Sequence, residues 1–364
     1  MALTKVDQTM VSDQVFGRRN VVINGAMQVA QRGTQTGLGA SSGAYGATDR
    51  FSLVTNGIGG RMTIEQSTDT PDGFGNSVKL SCTTTDTSLA AGDYLSFSTR
   101  LEGRDVQRFK KGTSDAEKYA VSFYVKGNAS ATYVCELYDY DNFRGVSQTF
   151  SVTTAWTRVE LSYPADTTGA LDNDSNISFA INIYLHAGSN FNSGSLQTTW
   201  SGSGYRATGT DNFFDSTSRT LFLTGVQLEV GENPTPFEHL TFDEQSSLCK
   251  RYYQQYSGFH AMAMWTYGRS NGSMQFVLEK EMRAKPTFSY SGTLGSLQTD
   301  SHCGIYESDW VTISSITAGS ASSAYNSRMV RIDSSHPSST FASANVAVGF
   351  YAGSTFYLIF DAEL

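Results

Sequence analysis

The sequence predicts an all-β protein: an N-terminal jelly-roll β-sandwich, one linking α-helix and a smaller C-terminal β-sandwich. Three observations carry this. Apolar residues recur at a two-residue period in one segment after another, as half-buried strands require. Charged residues make up only 16% of the chain, and 19 Tyr and 22 Phe stand against 6 Pro, which favours aromatic strands joined by Gly, Ser, Asn and Asp turns over a solvated coil. Only one segment switches to helical spacing, and it lies between two runs of strands.

Residues 1–17 are mostly polar and read as an arm. Strands follow across 18–240, with short ones expected at 20–27 and 61–65. Val78, Leu80 and Cys82 share a face, as do Leu95, Phe97, Thr99 and Leu101. Tyr119, Val121, Phe123 and Val125 alternate, then Val159, Leu161 and Tyr163, then Ile177, Phe179, Ile181, Ile183 and Leu185. The last strand places Phe222, Thr224, Val226, Leu228 and Val230 on one side. About eight alternating strands with no helical pattern between them favour two packed sheets over a parallel α/β fold.

A helix is expected across 241–257. Thr241 and Glu244 form a capping box, each able to satisfy a free backbone N–H of the first turn. Leu248, Cys249, Tyr252, Tyr253 and Tyr256 fall on one stripe, making Leu248, Tyr252 and Tyr256 candidates for an oligomer interface. Residues 258–364 then carry six further strands, at 273–278, 287–291, 310–316, 328–332, 344–351 and 355–360. No repeat of fixed period is present.

A net charge of −8 and a pI near 5.2 oppose a nucleic-acid surface, which needs a concentrated basic stripe. Nothing approaches the roughly 18 uninterrupted apolar residues of a membrane span. The start MALTKVDQTM has no apolar core of the signal-peptide kind. The four cysteines, Cys82, Cys135, Cys249 and Cys303, form no CxxC pair; Cys82 and Cys135 lie in strand-like runs and are expected as buried thiols in a reducing cytoplasm, a disulfide between them being the lesser alternative.

Catalytic patterns fail on context. Gly39-Ala40-Ser41-Ser42-Gly43 fits G-x-S-x-G but lacks the strand before it and the helix after it, so it reads as a loop. Asp172-Asn173-Asp174 opens like a calcium loop, yet Ile177 stands where an EF-hand needs Gly and Ile183 where it needs Glu. Asp172 and Asp174, or Asp139 and Asp141, remain candidates for a structural Ca²⁺, with Asx turns as the plainer reading. The five histidines show no ligand spacing. Trp200 and Tyr205 sit in a Ser/Gly loop, and Tyr138 and Tyr140 alternate with aspartates. All four are candidates to stack on sugar rings, or to pack in a subunit interface.

Two segments, RRNVVINGAMQVAQRG at 18–33 and the stretch at 219–253 with LTGVQLEVG, TPFEH and SLCKRYY, resemble phage tail-fibre and appendage proteins of marine and cyanobacterial viruses. Asp49-Arg50-Phe51, the SFYVKG strand, Thr199-Trp200, the run from Glu281 to Pro286 and the closing FDAEL fit the same pattern. The resemblance implies a jelly roll like those of carbohydrate-binding modules, a second β domain and a homotrimer. It also implies attachment through an N-terminus like Leu3-Thr4-Lys5-Val6. It carries no sugar site with it. The expected protein is a non-enzymatic virion component, made in the host cytoplasm, that contacts other tail proteins and presents its sandwiches to host-surface glycan. The alternatives are a fixed tail or neck component and a glycan-degrading tail enzyme.

Overall fold

The computed structural model describes residues 18–40, 42–258, 262–266, 270–294, 302–306, 310–318, 326–335 and 347–364. The chain divides into two compact units, Met1–Gln245 with Leu364, and Ser246–Glu363.

The first unit is a jelly-roll sandwich. One sheet contains β1 (Gln35–Leu38), β4 (Arg61–Ser67), β5 (Ser77–Thr84), β12 (Thr220–Val230), β7 (Tyr119–Gly127) and β10 (Thr157–Tyr163), in that spatial order. The other runs β2 (Ala44–Tyr45), β3 (Phe51–Asn56), β6 (Tyr94–Glu102), β11 (Ile177–Ala187), β8 (Ala131–Asp139) and β9 (Arg144–Val152). Alternate residues of both sheets meet in one core, among them Leu80, Phe97, Val121, Phe123, Leu137, Phe179, Ile181 and Leu228. Cys82 and Cys135 are buried free thiols, packed as small apolar groups.

Two expectations are corrected in this unit. Residues 20–27 form a turn at 23–26 with irregular backbone on either side, rather than a strand. Asn24 and Met27 have left-handed backbones (φ 62 and 55), and side chains fix the segment against the last strand. Asn20 Oδ1 accepts from Val22 and Leu228 N–H, and its Nδ2 donates to the Val226 carbonyl. Glu238 Oε2 accepts the Arg19 and Asn20 N–H groups, and Gln245 Oε1 accepts that of Asn24. The last strand does not keep one inward face either. Its register shifts between Thr224 and Gln227, where Gly225 adopts φ 65, a conformation open to glycine at little cost. Leu221 and Leu223 therefore enter the core before the bulge, and Val226, Leu228 and Val230 after it.

Besides a one-turn helix at Ser189–Asn192 (α1), the chain has the expected linking helix, α2, over Phe242–Cys249. Its capping box forms as expected: Glu244 Oε2 accepts from Thr241 N–H at 2.9 Å, and Thr241 Oγ accepts from Glu244 N–H at 3.4 Å. The helix stops at Cys249, earlier than the aromatic stripe implied. Arg251 and Tyr252 close tight turns onto Leu248 and Cys249, and β13 (Tyr253–Tyr256) begins. Tyr and Gln in this run fit a strand, and a partner strand takes up their backbone groups.

That partner belongs to the second unit, whose three-stranded sheet has the order β13, β23 (Tyr357–Asp361), β16 (Thr287–Ser291). A larger sheet contains β17 (Thr293–Leu294), β18 (His302–Tyr306), β22 (Ala347–Ala352), β14 (Met262–Thr266), β15 (Asn271–Val277), β21 (Met329–Ser335) and β20 (Ser315–Ala318) in spatial order, with β19 (Trp310–Thr312) against β18. Met264, Met274, Phe276, Val330, Ile332, Phe350, Leu358 and Phe360 form its core. The segment expected as one strand at 310–316 is two short ones, β19 and β20.

Candidate functional site

Trp200 is not a surface platform. Its ring packs against Tyr119 and Phe179 at centroid distances of 5.8 and 5.9 Å, and its Nε1 donates to the Pro164 carbonyl at 2.7 Å. It is 9% exposed and belongs to the sandwich core. The indole also lies beside a closed ionic cage. Lys111 Nζ sits 2.5 Å from Asp139 Oδ2 and 3.0 Å from Asp166 Oδ2, and donates to the carbonyls of Thr168 and Gly169 at 2.8 and 2.9 Å. Arg144 adds a two-pronged contact to Asp166, at 2.8 and 3.1 Å. Burial pushes the Asp166 carboxyl up, but the hydrogen bonds from Arg144 and Lys111 prevail and hold it below the usual range.

Asp139, one of the alternative calcium candidates, is a member of this cage. Its carboxylate faces the ammonium of Lys111 and also accepts from the Asp141 and Asn142 N–H groups. Asp172 and Asp174 sit in loop hydrogen bonding instead. Asp174 Oδ1 closes an Asx turn on Asn176 N–H, and the Asp172 N–H donates to Asp141. Among the described residues, no group of three His, Cys, Asp or Glu side chains is placed to hold a metal ion.

Tyr138 and Tyr140 lead to a different region, the outer face of the β2-β3-β6-β11-β8-β9 sheet. Inward residues of β8 and β11, such as Leu137 and Ile181, fill the core, so Glu136, Tyr138, Asn182 and Tyr184 point to the other side. These outward residues form a polar network. Ser98 Oγ donates to Asn182 Oδ1 at 2.7 Å, and Asn182 Nδ2 donates to Glu136 Oε2 at 2.9 Å. Tyr184 Oη donates to the same oxygen at 3.2 Å. The other oxygen, Oε1, lies 3.4 Å from Arg206 Nη1 but has no hydrogen bond. Gly145 packs close against it: a Cβ there would come within 2.7 Å of Oε1.

Aromatic rings border this network. The Arg206 guanidinium lies over Tyr138 at 4.8 Å and over Phe191 at 5.8 Å. Tyr138 meets Tyr140 edge-on at 4.9 Å, and Tyr94 meets Phe191 at 4.8 Å. Burial pushes the Glu136 carboxyl up, against the opposing pull of Arg206, Asn182 and Tyr184. Burial also raises the Tyr138 and Tyr140 hydroxyls. Arg100 Nη1 and Tyr45 Oη donate to the carbonyl of Leu364, which belongs to this unit, at 2.6 and 2.9 Å.

The other sequence candidates separate. Tyr205 is 39% exposed and does not share a surface with the buried Trp200, although the adjacent Arg206 reaches the network. Tyr252 is 1% exposed within the chain, and Tyr256 packs on Phe276 at 4.7 Å and Phe360 at 6.0 Å, so Tyr256 serves the second unit's own packing. Leu248 is half-buried on α2. Leu3, Thr4, Lys5, Val6 and Ser41 lie outside the described residues. Ser98, Glu136, Asn182 and Arg206 were not singled out from sequence. The available signal was polar residues alternating with core positions in strands that read as ordinary half-buried ones.

No protein-family model matches the chain, and no curated protein does. Solved structures similar to it include a CBM4 structure, at 11% identity and a TM-score of 0.28 over 57% of this chain and 98% of the other. A family 11 carbohydrate-binding module of a cellulosomal cellulase of Clostridium thermocellum gives 13% identity and 0.28, with the same coverages. TmCBM61, in complex with β-1,4-galactotriose, gives 12% and 0.27 over 59% of this chain and 100% of its own. At such scores nothing about a site is carried over from them.

Proposed function

We propose that this chain is a virion appendage protein whose first sandwich binds host-surface glycan on the outer face of the β2-β3-β6-β11-β8-β9 sheet. One observation carries the binding half: the Ser98–Asn182–Glu136–Arg206 network, bordered by half-buried Tyr138 and Tyr140. A sugar needs this pairing of chemistries. Its C–H faces rest against aromatic rings, while its hydroxyls both donate and accept. Glu136 is 0% exposed and Asn182 5%, so a sugar would meet the half-buried rings and Arg206 at the border, with the buried network holding them in place. The virion half rests on the sequence segments at 18–33 and 219–253. In a homotrimer, three weak sites on one particle would gain avidity.

The proposal is of binding without turnover. The partners of Glu136 are Arg206, Asn182 and Tyr184, whereas hydrolysis of a glycoside uses a pair of carboxylates. The test is a glycan array of bacterial surface polysaccharides probed with the full chain and with Tyr138→Ala. Binding that weakens in the variant supports the proposal, and binding unchanged in it sinks the assignment of this face. Release of reducing ends from a bound polysaccharide would instead revive the enzyme.

A further inference from the structure

We infer a second saccharide-binding site, in the C-terminal unit, on the outward face of β14, β15 and β21 around Trp265. Met264, Met274, Phe276, Val330 and Ile332 turn inward to the core, so the alternate positions turn outward. Those positions carry Trp265, Ser273, Gln275, Arg331 and Asp333. Trp265 is 55% exposed, whereas Trp200 is buried.

Register lines the polar groups up beside the indole. Trp265 pairs with Ser273 across one strand gap, and Ser273 pairs with Asp333 across the next. With strands about 4.8 Å apart, Asp333 stands about 10 Å from Trp265 along one row. In the neighbouring row Gln275 pairs with Arg331, whose Nε donates to Asp333 Oδ1 at 2.7 Å. A groove of about 380 Å³ runs here, lined by Trp265, Ser273, Gln275 and Arg331 with Ala263, Met264 and Met274. Its volume falls in the range of small-ligand pockets, about 300–1,000 Å³.

The side chains select the class of ligand. An exposed indole offers a flat apolar surface to the C–H face of a pyranose. Arg331 and Asp333 neutralise each other, so this face carries polar groups without net charge from the pair. That suits the hydroxyls of a neutral sugar better than a phosphate or a uronate. The groove lies wholly in the second unit, so this site stands or falls separately from the face around Glu136.

The experiment titrates the full-length protein with neutral hexasaccharides of glucose, galactose or mannose, reading the heat of binding by calorimetry, for wild type, Trp265→Ala, Gln275→Ala and Tyr138→Ala. The expected result is binding of at least one probe that persists in Tyr138→Ala. It should weaken about tenfold in Trp265→Ala, the size typical of a central aromatic contact, and less in Gln275→Ala. No response from wild type to any probe overturns the site. So does an equal response in Trp265→Ala, or a Trp265→Ala chain that changes oligomeric state while wild type ignores sugar. Circular dichroism and light scattering on each variant separate lost binding from lost folding or assembly.

Discussion

Two buried ionic clusters in the first unit have the same net charge and opposite characters. In the cage, Lys111 and Arg144 face Asp139 and Asp166, and the ammonium has four oxygens around it. On the outer face, Glu136 faces Arg206, and one carboxylate oxygen has no hydrogen bond. The partners in the cage hold Asp166 below the usual range, whereas burial raises Glu136 above it despite the opposing pull of its partners. A network closed by its own chain is structural. One that leaves an acceptor unsatisfied is the less completely closed of the two.

The comparison breaks most sharply at Lys111. Lys111→Met keeps the stem but leaves Asp139 without its ammonium, in a site where the lysine side chain is 0% exposed. Removing one partner of a buried pair costs about 3–5 kcal/mol. Denaturant unfolding of the variant should show a loss of that order. A loss under about 1 kcal/mol would mean that water or calcium replaces the ammonium, and added Ca²⁺ would tell these apart.

Acid sharpens the contrast, because the two clusters carry opposite signs. Asp166 is held below the ordinary aspartate value, so its contribution is present above that value and is lost as pH falls through the folded-state pKa. Glu136 is raised above the ordinary glutamate value, so its favourable contribution is full below that value and lost as pH rises through the folded-state pKa. Glu136→Gln removes the second dependence only. The variant should be as stable as wild type or more so near neutrality, by about 1 kcal/mol at most. Its stability should rise less on mild acidification, while its acid unfolding at lower pH stays unchanged. A variant with the wild-type pH profile would place the titrating group elsewhere.

How much of this was legible differs between the frame and the site. Alternation exposed the main strands, because a half-buried strand writes its period directly into the chain. The capping box of α2 was readable for the same local reason. The recognisable segments at 18–33 and 219–253 turn out to fasten each other, through Asn20, Glu238 and Gln245. They are scaffold. The bulge at Gly225 was hidden, since it swaps the inward face without changing composition. The tyrosines at 252–256 read as a helical stripe because short apolar runs fit both periods, and strand pairing decided the matter. Trp200 and Trp265 show the limit most plainly. Trp200, in a Ser/Gly loop, is core, and Trp265, one residue after the buried Met264 in a strand, is exposed. Glu136 and Arg206 lie 70 positions apart, by their numbers, and only the fold makes them a pair.

The smallest change asks the most of the open cluster. Tyr138→Phe removes one oxygen from a half-buried ring and leaves the contacts with Tyr140 and Arg206 in outline. Stability should move by roughly 0.5 kcal/mol or less, as for most changes near a surface. If the hydroxyl contacts the glycan, affinity should fall about two- to tenfold, the worth of one net hydrogen bond. The same deletion at Tyr163, whose hydroxyl is buried and donates to the Cys135 carbonyl at 2.9 Å, should do the reverse. It should lower stability by about 1–3 kcal/mol, because an acceptor is left unpaired in the core, and leave glycan affinity alone. If both variants lost stability and affinity together, the outer face would be as closed as the cage, and the distinction between the two clusters would fall.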